Sequence, residues 1–202
     1  MVLCLLSPAC SRASDNPVVD FVPDGDTVVL NDGRTVRYQG IDAPETAHEG
    51  RPAQPFAREA LELNRELVLH GEVVLEIGSD EKDRYGRTLA LVYLPDGTFV
   101  NGEMVRRGLS WCLYFEEAGR ANHRLLELQR DAMSAGRGVW RNLKGDGRLY
   151  VGNRNSRRFH TPDCPSARRM SKRNAVPFQG LREAFWAGHS PGGRCLDNWQ
   201  GE

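Results

Sequence analysis

The chain has 202 residues, 40% of them hydrophobic and 27% charged, the balance of a globular protein. No apolar run approaches the roughly 20 residues of a helical membrane span, which excludes a chain threaded through a bilayer by helices. The formal charge is zero, yet residues 1–146 carry 17 Lys and Arg against 23 Asp and Glu, and residues 147–202 carry 10 against 4. A basic segment beside an acidic one fits a polyanion-binding surface next to a carboxylate-rich site, and equally an ordinary solvated surface.

Residues 1–16 combine an apolar stretch with small residues around Cys10, as an export leader does, but lack a basic start. Two readings stand: a truncated export signal, secreted or lipid-anchored at Cys10, or a disordered start of a cytoplasmic protein. Neither gives the segment a part in the fold. From Val18 onward, short β-branched runs alternate with turns. Residues 18–22 lead into Pro23-Asp24-Gly25, residues 27–30 meet the hairpin signal Asn31-Asp32-Gly33, and residues 35–38 follow. A helix is expected over about 54–70, where Phe56, Ala60, Leu63 and Leu67 recur at helical spacing and Gly71 stops it. Residues 73–77 and 88–93 supply two further strands around Tyr85-Gly86. A second helix begins after Asn101 and ends at Gly108, and a third runs over about 123–135. Five strands with a helix between the third and fourth is the order of an OB-fold barrel, packed by about three helices. The class is therefore mainly β with α, with the barrel domain at 17–143, a linker at 144–149 and a small α+β module at 150–202. That module holds one helix near Leu181–Ala187 and is too short to build much core alone.

Three motifs in the barrel region suggest chemistry. Asp24-Gly25-Asp26-Thr27 is what a tight turn uses for local reasons, and it also sets Asp26 at a strand entrance. Arg37 lies in a strand, and Asp42 and Glu45 follow around Pro44, which ends pairing. Carboxylates gathered there form an oxygen-rich environment suited to a hard divalent cation, or else an exposed acidic loop. Asp83-Arg84-Tyr85-Gly86-Arg87 adds a second arginine, whose planar fork matches phosphate oxygens. His48 reads as loop surface, and Cys112, between Trp111 and Leu113, as a small buried residue.

In this order, and continued by Val105-Arg106-Arg107-Gly108-Leu109 and Gly138-Val139-Trp140, these motifs resemble the staphylococcal nuclease family over roughly residues 21–142. The resemblance implies a calcium-dependent endonuclease acting on DNA and RNA with little sequence preference and leaving 3′-phosphates. Calcium would be held by Asp26, Asp42 and the backbone carbonyl of Ala43, where well-known members carry threonine. Glu45 would be the general base, Arg37 and Arg87 would hold the scissile phosphate, and Tyr85 and Tyr114 would contact the nucleotide. The rival is a nucleic-acid-binding protein on the same fold that has lost catalysis; such relatives lose several of Asp26, Arg37, Asp42, Glu45 and Arg87, all present here. Because these five precede the linker, the barrel is expected to fold without the tail.

The tail, from Phe159-His160 and Cys164-Pro165 to Gly192 and Cys195, resembles the small metal-binding domain of the Ada DNA-repair protein. There a distal Cys-x-x-Cys completes a zinc site; here Gly192 replaces its first cysteine. Two outcomes remain open: zinc on His160, Cys164 and Cys195 with His189 as substitute ligand, or loss of the metal, with or without a Cys164–Cys195 disulfide. Arg154, Arg157, Arg158, Arg168, Arg169, Lys172 and Arg173 give the tail its capacity to hold nucleic-acid phosphates.

Overall fold

The computed structural model describes residues 15–47, 50–114, 119–141, 143 and 147–192; the leader through residue 14, His48, Cys195 and linker residues 144–146 lie outside the described residues. The β-branched runs form the strands they suggest: β1 (Val19–Phe21), β2 (Thr27–Leu30) and β3 (Thr35–Tyr38), then a two-residue β4 (Ile41–Asp42). Helix α1 (Ala57–Val68) separates them from β5 (Val74–Lys82) and β6 (Thr88–Tyr93). Next come α2 (Val100–Arg106), β7 (Trp111–Cys112), α3 (Gly119–Ser134) and a single 3-10 turn at Gly138–Trp140.

The five longer strands form one sheet in the order β1-β2-β3-β6-β5, with β3 parallel to β6 and the other neighbours antiparallel. Closure into a barrel is not shown. Among the described residues the two sheet edges meet around the Val18–Glu72 bridge, where backbone hydrogen bonds join Val19 to Gly71 and His70 and Val73 to Pro17. The sheet interior, with Val28, Leu30, Val36, Tyr38, Ala90 and Val92, packs on Ala60 and Leu63 of α1 and Val100, Met104 and Val105 of α2.

Two buried asparagines tie helices to strands. Asn64 of α1 accepts from the Tyr38 hydroxyl at 2.8 Å and donates to the Asp24 carbonyl at 2.9 Å. Asn101 of α2 accepts from the Val92 amide and donates to the Gln39 carbonyl, both at 2.8 Å. Each is fully buried, so losing a partner would cost about 1–3 kcal/mol.

The tail adds β8 (Leu149–Asn153), β9 (Arg158–His160), α4 (Pro165–Arg168), β10 (Ala175–Gln179), α5 (Leu181–Trp186) and β11 (Ser190–Pro191). Its strands pair as β10-β8-β9-β11. Their apolar side does not form a core of its own. Tyr150, Phe159, Phe178, Leu181, Ala184 and Phe185 join Trp111, Ala132, Met133, Val139 and Trp140 in one cluster. Phe185 sits at its centre, edge-on to Trp140 at 4.9 Å, Phe159 at 5.2 Å and Trp111 at 6.5 Å between ring centroids. Gln129, buried on α3, locks the seam: it accepts from the Cys112 amide and donates to the Phe185 carbonyl, both at 2.7 Å. Gly108 and Gly138 let the chain reach this seam. Both have positive φ, and a Cβ on either would collide with the other's backbone segment.

His189 belongs to this tail packing. It is 2% exposed and lies edge-on to Phe178 at 4.8 Å, with no hydrogen bond of normal geometry to either ring nitrogen. Burial, then the Arg157 charge, pull its imidazole down to about 4, although the Ala187 and Asn153 backbone favours protonation. The unfolded chain takes up a proton near pH 6.5 that the folded chain refuses until about pH 4. This contribution to stability is therefore full above about pH 6.5 and is lost as pH falls toward 4. Denaturant melts at about pH 7 and about pH 4.5 should show the loss, and His189→Phe should reduce it. The same pH dependence in both proteins would rule the histidine out.

Candidate active site

The site begins with the turn before β2. Asp24 accepts the Asp26 amide at 3.0 Å, and Asn64 pins the Asp24 carbonyl from below. Gly25 is required here. A Cβ would come within 2.7 Å of the Ala60 methyl and 2.8 Å of the Ala43 methyl. The turn therefore wedges between α1 and the strand carrying Asp42, and it delivers Asp26 into the protein at 6% exposure.

Arg37 gathers the acidic residues. Its Nε meets Asp26 Oδ1 at 3.0 Å, and its Nη2 donates to Asp42 Oδ1 at 2.6 Å. Its Nη1 donates to the carbonyls of Tyr38 at 2.7 Å and Ile41 at 2.8 Å, bracing the turn from β3 to β4. Asp26 Oδ2 accepts the Ala43 amide at 2.6 Å. Asp26, Arg37, Asp42 and Ala43 thus form one hydrogen-bonded cluster. Glu45 lies in the exposed loop beyond it, close enough for its charge to act on Arg37. Gln54 holds that loop: its side chain accepts the Glu45 amide and its own amide donates to the Glu45 carbonyl, both at 2.9 Å.

The cluster is short of positive charge. Burial pushes the Asp26 carboxyl up, and the charges of Asp24 and Asp42 add to this against the pull of Arg37 and the Ala43 amide. Burial opposes the charge on Arg37 as well, but Asp26, Asp42, Asp24 and Glu45 outweigh it and raise its pKa. Four carboxylates surround one guanidinium. Asp26, Asp42 and the Ala43 carbonyl are the oxygen donors a hard cation would take. Among the described residues, no three acidic, imidazole or thiol side chains stand together as a ready-made metal cluster.

Arg87 is positioned separately. Its Nε donates to Asp83 Oδ2 at 2.7 Å, and Asp83 Oδ1 accepts the amides of Tyr85 and Arg87. Burial works against the Asp83 carboxylate, but these bonds, led by the Arg87 side chain, hold it below the usual range. In the parallel register Arg37 lies opposite Leu89, so alternation puts Arg87 on the same sheet face as Arg37. Tyr85 is 68% exposed, with Arg84 and Arg87 over its ring at 4.8 and 5.6 Å. Tyr114 is three positions beyond Trp111, the residue that pairs with Asp42, and Arg157 of the tail covers its ring at 5.2 Å.

Among the described residues the zinc set does not assemble. His160 is buried with Nδ1 3.5 Å from Cys164 Sγ, while His189 lies edge-on to Phe178; His160, Cys164 and His189 form no metal cluster. Cys164 is disulfide-bonded, so its sulfur is no thiolate ligand. Cys195 lies outside the described residues. At Gly192 a Cβ would collide with the His160 ring, so the imidazole fills the space that a side chain there would need.

Sequence reasoning missed Asn64, Gln54 and the partner role of Asp83. Asn64 had a signal, a polar residue on the apolar face of α1 beside Ala60 and Leu63.

Comparison with known proteins gives the family. The family described as staphylococcal nuclease homologue matches residues 35–142. Thermonuclease of Staphylococcus hyicus is 34% identical over 124 residues, 60% of this chain and 73% of that protein. Endonuclease YncB of Bacillus subtilis is 40% identical over 106 residues, 50% of each chain. An uncharacterized endonuclease of Escherichia coli O157:H7 is 36% identical over 122 residues, 59% of this chain and 72% of that protein. Arg37, Asp42, Ala43, Glu45 and Arg87 all fall within the family match. With more than half of its length matched, the chain belongs to the staphylococcal nuclease family.

Proposed function

We propose that the chain is a calcium-dependent endonuclease that hydrolyses phosphodiester bonds of DNA and RNA with low sequence specificity, leaving 3′-phosphate ends. The observation that carries this reading is the cluster of Asp26 and Asp42 on Arg37, with Glu45 alongside and Arg87 on the same sheet face. Calcium would be held by Asp26, Asp42 and the Ala43 carbonyl, and when bound would offset charge on a phosphoryl oxygen. The excess of carboxylates over cations there fits such an ion.

The residues divide the remaining work. Glu45, on a loop braced by Gln54, is the base that takes a proton from the attacking water. Arg37 and Arg87 meet the non-bridging oxygens, where negative charge grows in the transition state, so their hold tightens as the reaction proceeds. Tyr85 and Tyr114 offer aromatic faces to the sugar and base, a contact that tolerates any sequence. The disulfide-bonded Cys164 supports the exported reading of the leader, since disulfides persist in oxidising compartments.

Cleavage of single- and double-stranded DNA and of RNA should require calcium and stop in chelator. Magnesium should serve less well, because it demands a stricter octahedral shell. Undiminished cleavage in chelator would overturn the metal assignment.

A further inference from the structure

The tail reaches the active site. Its β8–β9 turn is tightly specified: Asn153 Oδ1 accepts the amides of Asn155 at 2.9 Å and Ser156 at 3.1 Å, and the Asn153 carbonyl accepts the Arg157 amide at 2.9 Å. Arg157 then takes a left-handed conformation at φ 51°, which a non-glycine residue holds only under constraint from its surroundings. Its guanidinium covers Tyr114. Arg158, the next residue, opens β9. Phe159 points into the shared core at 0% exposure, so strand alternation turns Arg158 the other way. There its Nη1 donates to the Pro191 carbonyl at 3.0 Å, and among the described residues no other hydrogen bond engages its remaining donors.

Arg158 is half-buried and near the acidic cluster. Burial depresses its pKa first; the Asp42 charge supports it, and the Arg37 charge opposes it. It therefore lies within electrostatic reach of both residues. Among the described residues no carboxylate comes within ion-pair distance of it, unlike Arg37 and Arg87. A half-buried cation at the edge of a phosphodiesterase site, anchored to a carbonyl and with no carboxylate partner among the described residues, is suited to receive an anion. Of the seven basic tail residues named above, the other described contacts bring only Arg157 to this side.

We propose that Arg158 is a substrate-binding residue of the nuclease site, taking the strand phosphate that flanks the scissile one on the Tyr114 side of Asp42. The proposal rests on the nuclease reading above. It makes the tail a wall of the substrate groove, not a remote basic patch.

The test compares wild type, Arg158→Gln and Arg158→Lys on a single-stranded DNA 12-mer and on a dinucleotide without terminal phosphates, with melting temperatures alongside. Losing a charged contact to one phosphate should raise KM for the 12-mer about 10- to 100-fold in Arg158→Gln. The salt slope of log KM should fall by roughly 0.7. The dinucleotide, which has no flanking phosphate, should lose much less. Arg158→Lys should keep the salt slope but still raise KM for the 12-mer, because a point charge cannot reproduce the fork. If Arg158→Gln does not fold, the Lys variant decides by the same contrast between substrates. Equal losses on both substrates, or an unchanged KM with only a lowered melting temperature, would overturn the proposal. An inactive wild type would instead defeat the nuclease reading itself.

Discussion

Arg37→Ala and Arg87→Ala should each lower the rate of phosphodiester cleavage by about 100- to 1000-fold, the usual cost of removing one donor to a developing oxyanion. The two variants should differ in stability. The Arg37 side chain is 11% exposed and bonded to two carboxylates and two carbonyls. Its removal leaves Asp26 buried with no cationic partner, a change that costs about 3–5 kcal/mol for a broken buried pair. Arg87 is 32% exposed, and its partner Asp83 keeps two backbone amides, so its loss should cost little stability. Lysine should rescue neither. At position 37 it would meet four acceptors now served by three nitrogens, and at position 87 it would lose the Nε contact that orients the fork. Initial rates and melting temperatures of the four variants check this. Near-wild-type rates in both Lys variants would remove phosphate recognition from these arginines.

The parts of this molecule legible in the sequence are those fixed by local chemistry. The β-branched runs at 27–30, 35–38 and 88–93 became strands because their alternation and flanking turns suit no other state. Asn31-Asp32-Gly33 became a hairpin, with Gly33 at φ 84°. The contact of Asp26 with Asp42 through Arg37 could be anticipated because all three sit at ends or middles of neighbouring short strands. Less legible was whatever depends on which surfaces meet. Strand count does not show whether edges close, and among the described residues they touch only over the short stretch around Val18 and Glu72. The zinc set came from the resemblance of the tail, which left a Cys164 disulfide open as the alternative but could not show that His189 turns onto Phe178. Arg158 carries no local mark separating it from Arg154 or Arg168; only the β8–β9 turn and the Pro191 carbonyl aim it. Gln129 did carry a mark. A glutamine on the buried face of an otherwise apolar helix implies a partner for both ends of its amide, and the partner is the tail.

That seam leads to a prediction different from the sequence-based expectation that the barrel folds without the tail. A chain ending at residue 143 should lose its cooperative transition, because Trp111, Met133, Val139 and Trp140 would be stripped of Tyr150, Phe159, Phe178 and Phe185. Gln129 would also keep one buried amide end without the Phe185 carbonyl. The damage should reach the chemistry, since Trp111 pairs with Asp42 in the β4–β7 ladder. The truncated chain would retain only Trp111 and Trp140 of the four tryptophans. Both are now buried, so red-shifted emission would report their exposure directly. In the full chain, Phe185→Ala should cost about 3–5 kcal/mol, the range for a large aromatic removed from a packed interior. It should also lower activity by loosening Asp42, whereas Arg58→Ala, with its side chain 82% exposed on α1, should do neither. Denaturant melts, emission spectra and initial rates on these proteins give the answer together. A truncated chain with a wild-type melting temperature and blue-shifted tryptophan emission would show that the tail rests on the nuclease domain without supporting it.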